Sequence, residues 1–165
     1  MVVIRGTKNF LDRVGPPLSE PPPSTTVLGD WYANVLFWRP QAALFVNERT
    51  LLPVLVPLAP AATVISRLRP TVELVLGLHG LAGSFIADEL DGMENAVVAK
   101  TANRSVVGML NEFGHLAATW RPSAGNLLDL SLRLATVPCG PLYSTHVDPL
   151  HAVAAAADEW ILEHR

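Results

Sequence analysis

This 165-residue sequence has one cysteine, no long apolar run and a small net charge. Cys139 is the only cysteine, which excludes an intrachain disulfide and leaves a zinc site with at most one thiolate. The longest uncharged stretch, residues 50–66, is broken by three prolines and is shorter than the roughly 20 residues of a membrane-spanning helix. The first ten residues lack the apolar segment of a signal peptide. We therefore expect a cytoplasmic protein without a membrane span.

The charge balance makes nucleic acid an unlikely partner. The 12 Lys and Arg are outnumbered by 15 Asp and Glu, giving a net charge of -3, whereas a surface that follows a phosphate backbone needs an excess of cations. Half of the residues are apolar, so a chain of this length can bury a sizeable core. The sequence predicts one domain over residues 1–165, with a proline-rich loop at 16–28 and a C-terminal extension at 121–165 that ends in a helix.

Several short apolar segments have the character of β-strands. Alternation is clearest from Trp31 to Trp38, where successive side chains face opposite sides of the strand. A turn at residues 39–41 predicts an antiparallel neighbour, and Pro53 and Pro57 place the following strand at a sheet edge because proline cannot donate a ladder hydrogen bond. The predicted strands are residues 2–4, 31–38, 42–46, 51–58 and 95–100.

Apolar residues at intervals of three and four predict helices in much of the remaining chain. Thr7, Asn103 or Thr101, and Asp148 followed by Pro149, are candidate caps that open three of these helices. The helical segments are residues 9–14, 60–76 with a kink or restart at Pro70, 82–93, 101–120 and a last helix from Asp148, while residues 121–147 show no clear pattern. The sequence thus predicts an α+β fold, in which a small, mainly antiparallel sheet of four to five strands is covered by helices.

The most suggestive polar cluster lies at the predicted start of the 101–120 helix. It combines two cations with three hydrogen-bonding side chains, where free backbone N–H groups and the helix dipole favour an anion. The alternative is an ordinary helix cap beside solvated charges. The candidate anion-binding residues are Lys100, Thr101, Asn103, Arg104 and Ser105.

A second polar group is predicted at one end of the strand pair. Antiparallel pairing through the 39–41 turn would bring the start of the first strand near the end of the second. The group is either a pocket or a set of strand-end hydrogen bonds. Its members are Asp30, Trp31, Tyr32, Asn34, Asn47, Glu48 and Arg49.

Metal binding and nucleophilic catalysis have weaker support. Asn111, Glu112 and His115 lie within one turn of the 101–120 helix, but a metal site needs further ligands. Ser105 lacks a G-x-S-x-G context, and no cation lies close to Cys139 in the sequence. We keep Asn111 as a candidate pocket residue and predict neither a metal nor a cofactor.

Three segments together resemble a family of small bacterial proteins known as a domain of unknown function. The segments are Leu28–Asn34 (LGDWYAN), Phe45–Leu51 (which contains VNERTL) and Lys100–Asn111 (KTANRSVVGMLN). The resemblance covers about residues 1–120 and implies a β-α start, a tryptophan-bearing hairpin and a helix containing T-x-x-R-S. It implies no particular activity. Many family members carry a cysteine after the first strand, where this chain has Gly6.

Three functions are compatible with these features, in decreasing order of support. The first is a binding or partner module without catalysis, because no complete catalytic set is present. The second is a pocket for a nucleotide or another anionic small molecule, built from the helix start and the strand ends. The third is a hydrolase or nuclease in which the strand-end carboxylates, Asp30 and Glu48, would hold a metal. The first two functions imply a protein partner and a small anionic ligand, respectively.

Overall fold

The computed structural model describes all residues, 1–165, and confirms the predicted α+β class. Five strands form one sheet: β1 (Val2–Gly6), β2 (Trp31–Leu36), β3 (Ala42–Asn47), β4 (Pro53–Pro57) and β5 (Ala96–Lys100). Six helices surround it: α1 (Lys8–Val14), α2 (Val64–Leu78), α3 (Gly83–Gly92), α4 (Arg104–Trp120), α5 (Leu127–Leu134) and α6 (Pro149–Glu163). None of these helices combines the length and the apolar character needed to cross a bilayer.

The sheet is mixed, which corrects the expectation of a mainly antiparallel one. Its strand order is β4-β3-β2-β1-β5, and β1 runs parallel to both β2 and β5. Only β3 is antiparallel to its two neighbours. The β1–β2 and β4–β5 connections contain helices, and such long connections allow the next strand to run parallel to the previous one. The short β2–β3 and β3–β4 turns reverse the direction of the chain, which makes those strand pairs antiparallel.

Helices cover both faces of the sheet at β2, β3 and β4, whereas only Ala99 of β5 is buried. Trp31, Ala33 and Val35 belong to one apolar cluster, which includes residues of α1, α2, α3 and α6. Tyr32 and Leu36 belong to the other, which includes residues of α4 and α5. We call these the α1 face and the α4 face. The predicted alternation in β2 is therefore confirmed, and every residue of β3 is buried.

The outer edge of β4 is closed by prolines and by a helix. β4 lies at the end of the sheet, as its prolines predict. Pro53 and Pro57 have no N–H, and the N–H of Leu55, which shares their orientation, donates to Oγ of Ser131 in α5 at 2.9 Å. The outer edge of β4 therefore has no free backbone N–H at Pro53, Leu55 or Pro57.

The outer edge of β5 is covered by the segment between α1 and β2. This proline-rich segment, residues 16–24, contacts the strand at Leu18, which bridges in parallel to Ala99. The N–H of Leu18 donates to the carbonyl oxygen of Val98 at 2.8 Å. The segment predicted as a surface loop thus packs on the sheet and forms part of the surface around the end of β5.

Candidate functional site

The carboxyl ends of β1 and β5 lie side by side, and the segments that follow them pass to opposite faces of the sheet. These neighbouring parallel strands end in register at Gly6 and Lys100. From β1 the chain enters α1, which packs on the α1 face through Phe10, and from β5 it enters α4, which packs on the opposite face through Val106. Ligand crevices of open sheets form where the helices that follow two adjacent parallel strands diverge in this way.

A pocket of about 650 Å³ opens at this point on the side of α1. We call it the α1 pocket. Its charged lining residues are Lys8, Asp12 and Lys100, and Thr101 adds a hydroxyl. Lys8 Nζ lies 3.1 Å from Asp12 Oδ2, and both side chains are well exposed. Salt bridges of this kind contribute little to stability, so the Lys8 ammonium can turn to a ligand at small cost.

A second pocket, of about 600 Å³, adjoins the first around the end of β5. We call it the Arg5 pocket. Arg5 pairs in register with Tyr32 and Ala99, which places it on the α4 face. Lys100 and Thr101 line this pocket as well as the α1 pocket. We call these two adjoining pockets, which lie on either side of the end of β5, the crevice.

Arg5 is held by contacts that fix its guanidinium. Its Nε donates to Asp30 Oδ2 at 2.7 Å, and its Nη1 donates to the carbonyl oxygen of Lys100 at 3.0 Å. Ser24 Oγ donates to the other Asp30 oxygen at 2.6 Å and accepts the N–H of Val3 at 2.9 Å. The Arg5 Nη2 group has no hydrogen-bond partner in the protein, so it is free to bind an acceptor in the pocket.

The structure divides the predicted anion cluster into two parts. Lys100 and Thr101 line the crevice, whereas Asn103, Arg104 and Ser105 are exposed and line neither pocket. Asn103 is the cap of α4, and its Oδ1 accepts the N–H groups of Ser105 at 2.9 Å and Val106 at 3.3 Å. Arg104 forms no salt bridge. Since the cap already uses two amides of the first turn, those amides are not available to an anion.

The predicted group at the strand ends is partly assembled. Asn47 Nδ2 donates to the carbonyl oxygen of Leu28 at 3.0 Å, and its Oδ1 accepts the N–H of Thr50 at 2.9 Å. The N–H of Glu48 donates to the carbonyl oxygen of Asp30 at 2.9 Å. Arg49 pairs with Glu159 of α6. The contacts made by Asn47 and by the Glu48 amide are those of a strand end that holds a loop in place.

Other residues predicted for this group lie elsewhere. Asn34 Oδ1 accepts the Thr7 hydroxyl at 2.6 Å. Trp31 is buried on the α1 face, and the Tyr32 hydroxyl accepts the N–H of Asn103 at 2.9 Å on the opposite face. Asn111 is exposed on α4. None of these four side chains lines the crevice.

Two carboxyl groups near the residue 27–30 loop, the exposed Glu48 and the buried Glu89, have raised pKa values. Burial and the nearby Asp30 carboxylate raise the pKa of Glu48. Burial raises the pKa of Glu89 in α3 to about 7, although its Oε2 accepts the N–H of Leu28 at 3.1 Å. No three His, Cys, Asp or Glu side chains converge on a point that could hold a metal ion.

Sequence reasoning missed Arg5 and Lys8 as site residues. Both lie close to Gly6, where the first strand ends and the first helix begins, and that position was a usable signal because crevices form beyond the carboxyl ends of parallel strands. This signal was not used, because the sheet was predicted to be mainly antiparallel and such a sheet has no crevice at the ends of parallel strands. An arginine inside an otherwise apolar strand was a second signal, since a charge is rarely buried without a partner.

The fold and the crevice define an α+β protein whose mixed sheet carries a ligand-sized cleft at the diverging ends of two parallel strands. The model of a family described as a domain of unknown function (DUF6933) matches residues 3–152, and the chain belongs to this family. The family resemblance drawn from the sequence is thereby confirmed, and the match extends beyond residue 120 into the segment predicted as a C-terminal extension. No curated protein matches the chain, and no solved structure matches it.

Proposed function

We propose that this protein binds a small anionic molecule, bearing phosphate or carboxylate groups, in the crevice at the carboxyl ends of β1 and β5. The observation that carries the proposal is the presence of Arg5, Lys8 and Lys100 in the lining of two adjoining pockets, at the point where α1 and α4 diverge. Each pocket has a volume in the range of small-molecule sites.

The charge of the crevice supports an anion as its ligand. The chain as a whole has a net charge of -3, yet the crevice is lined by three cations and by one carboxylate, Asp12. Asp30 pairs with Arg5, and when both carboxylates are counted the charged groups of the crevice still sum to +1. A positive crevice on an acidic protein attracts anions locally while the remaining surface repels them.

The alternatives have less support from the geometry. A metal-dependent hydrolase or nuclease would need free strand-end carboxylates, but both oxygens of Asp30 are hydrogen-bonded within the protein. A partner module without a ligand would leave the convergent cations unexplained. We also propose a cytoplasmic setting, because the only cysteine, Cys139, is buried and unpaired.

The test is binding of inorganic phosphate, pyrophosphate and AMP, measured by calorimetry and by the shift in melting temperature. We expect Lys100→Gln to weaken binding by about tenfold to a hundredfold, because a charge-assisted hydrogen bond contributes roughly 1.5 to 3 kcal/mol. The Lys100 side chain makes no hydrogen bond in the protein and is exposed, so this substitution should leave the fold intact.

Arg104→Gln is the matched control, since it removes the same charge from an exposed side chain that lines neither pocket. It should leave binding nearly unchanged. If Arg104→Gln weakens binding and Lys100→Gln does not, the anion binds at the start of α4. If none of the three anions binds at millimolar concentration, the proposed function is wrong.

A further inference from the structure

We propose that the ligand is elongated, carries an anionic group at each end, and lies across the end of β5 with one group in the α1 pocket and the other in the Arg5 pocket. This inference rests on the proposed function and adds the class of ligand. It follows from the way the two pockets share residues and from the distribution of cations between them.

The two pockets meet over the end of one strand. Both are lined by Pro17, Lys100 and Thr101. Beyond these shared residues, the α1 pocket has Lys8 and the Arg5 pocket has Arg5, which lie on opposite sides of the sheet. Arg5 and Lys8 are three residues apart in the chain, so their Cα atoms are separated by at most about 11 Å. A ligand that reaches both must pass Lys100.

Arg5 is prepared for an anion before the ligand arrives. Its side chain is 21% exposed and is held by Asp30 and by the carbonyl oxygen of Lys100, with Nη2 unpartnered. A fixed guanidinium loses little conformational entropy when it binds phosphate or carboxylate. Asp30 thus serves as a positioning residue that orients Arg5 and balances its charge in the absence of ligand.

The proline-rich segment supplies stiff walls to both pockets. Pro16 and Pro17 line the α1 pocket, and Pro17, Ser19 and Pro21 line the Arg5 pocket. The proline ring restricts the backbone, and Leu18 attaches the segment to β5. A wall that is already ordered lowers the entropic cost of binding, which gives a physical reason for the composition of this segment.

The experiment compares a homologous series of linear alkane bisphosphonates of increasing length with monophosphonates of the same chain lengths, by calorimetry on the full chain. We expect the Kd of the bisphosphonates to pass through a minimum at one length, about a hundredfold below that of the matched monophosphonate, because the second group binds intramolecularly. The stoichiometry at this length should be one bisphosphonate per chain.

Two variants test the Arg5 pocket. Arg5→Gln should remove the gain of the bisphosphonate over the monophosphonate, and Ser19→Trp should do the same by filling the pocket without touching the Arg5–Asp30 contact. Glu20→Trp is the matched control, because Glu20 is exposed in the same segment and lines neither pocket. It should keep the gain.

The outcomes separate the two proposals. Monophosphonates that bind through Lys100, with bisphosphonates no tighter at any length, would overturn the elongated ligand and leave the anion site standing. Equal losses in Ser19→Trp and Glu20→Trp would also overturn it. Failure of every phosphonate to bind would overturn both proposals.

Discussion

Glu89 is expected to make the stability of this protein fall as the pH rises from about 4.5 to about 7. The side chain is 0% exposed, Oε2 accepts the N–H of Leu28, and Oε1 has no hydrogen-bond partner. Burial, with a smaller contribution from Asp88, raises the pKa of Glu89 to about 7 in the fold, against 4.5 for the free side chain, while Arg49 and the backbone bonds oppose this. The folded protein therefore keeps a proton that the unfolded chain releases between these two pH values.

The sign and the size of the effect follow from proton linkage. The stabilisation is fully present below about pH 4.5 and is lost as the pH rises to about 7, because the folded state binds the additional proton in that window. One pKa unit corresponds to about 1.4 kcal/mol, so the whole change amounts to about 3 kcal/mol. This is a substantial fraction of the roughly 5 to 15 kcal/mol that stabilises a typical domain.

Glu89→Gln isolates this effect, since glutamine keeps the oxygen that accepts the Leu28 N–H and has no charge. We expect the free energy of unfolding of the variant, relative to wild type, to increase by about 2 to 3 kcal/mol between about pH 5 and about pH 8. Urea titrations at a series of pH values measure it. The pKa of Glu48 is also raised and that of His79 is lowered, but both groups are present in both proteins.

Glu94→Gln provides the control, because Glu94 is exposed and forms no salt bridge. Its pH profile should follow wild type. Parallel profiles for Glu89→Gln and wild type would refute the reasoning and show that Glu89 is ionised in the fold at little cost.

Two further predictions concern buried hydrogen bonds, and both are measured by urea unfolding. Ser131→Ala leaves the Leu55 N–H on the outer edge of β4 without its acceptor and should lower the free energy of unfolding by about 1 to 3 kcal/mol; no loss would mean that water replaces the hydroxyl. Asn47→Ala removes the partners of Leu28 and Thr50 at once and should cost at least about 2 kcal/mol. A cost well below 1 kcal/mol would show that the loop is held by other contacts.

The features that could be predicted from the sequence are those fixed by neighbouring residues. Asn103 caps α4 and Asp148 caps α6 through their own side chains, three residues or fewer from their partners. The alternating side chains of β2 correctly predicted which of them lie on each face of the sheet, and the prolines of β4 correctly predicted an edge strand. Such signals depend on the chemistry of a few consecutive residues. The prediction of Thr7 as a side-chain cap of α1 was wrong, because its hydroxyl donates to Asn34 Oδ1 instead.

The features that could not be predicted depend on long-range pairing. No turn in the sequence specifies that β1 lies beside β5, some ninety residues later, yet this pairing creates the crevice. It brings Lys8 and Lys100 to one pocket, and it brings Arg5 to the carbonyl oxygen of Lys100. Helix α5 was missed for a different reason, since its eight residues are too few to show a clear period. Its cap is Asn126, whose Oδ1 accepts the N–H of Asp129 at 2.8 Å, and the sequence analysis did not predict this cap.

The closure of both sheet edges restricts the ways in which this protein can assemble. A strand of another molecule could extend the sheet only by pairing with β4 or β5, and many proteins recognise peptides or form fibrils by such strand addition. Pro53, Pro57 and the Ser131 contact obstruct one side, and Leu18 occupies the other. Strand addition at β5 would first have to displace the residue 16–24 segment, and strand addition at β4 would find no free donor at Pro53, Leu55 or Pro57.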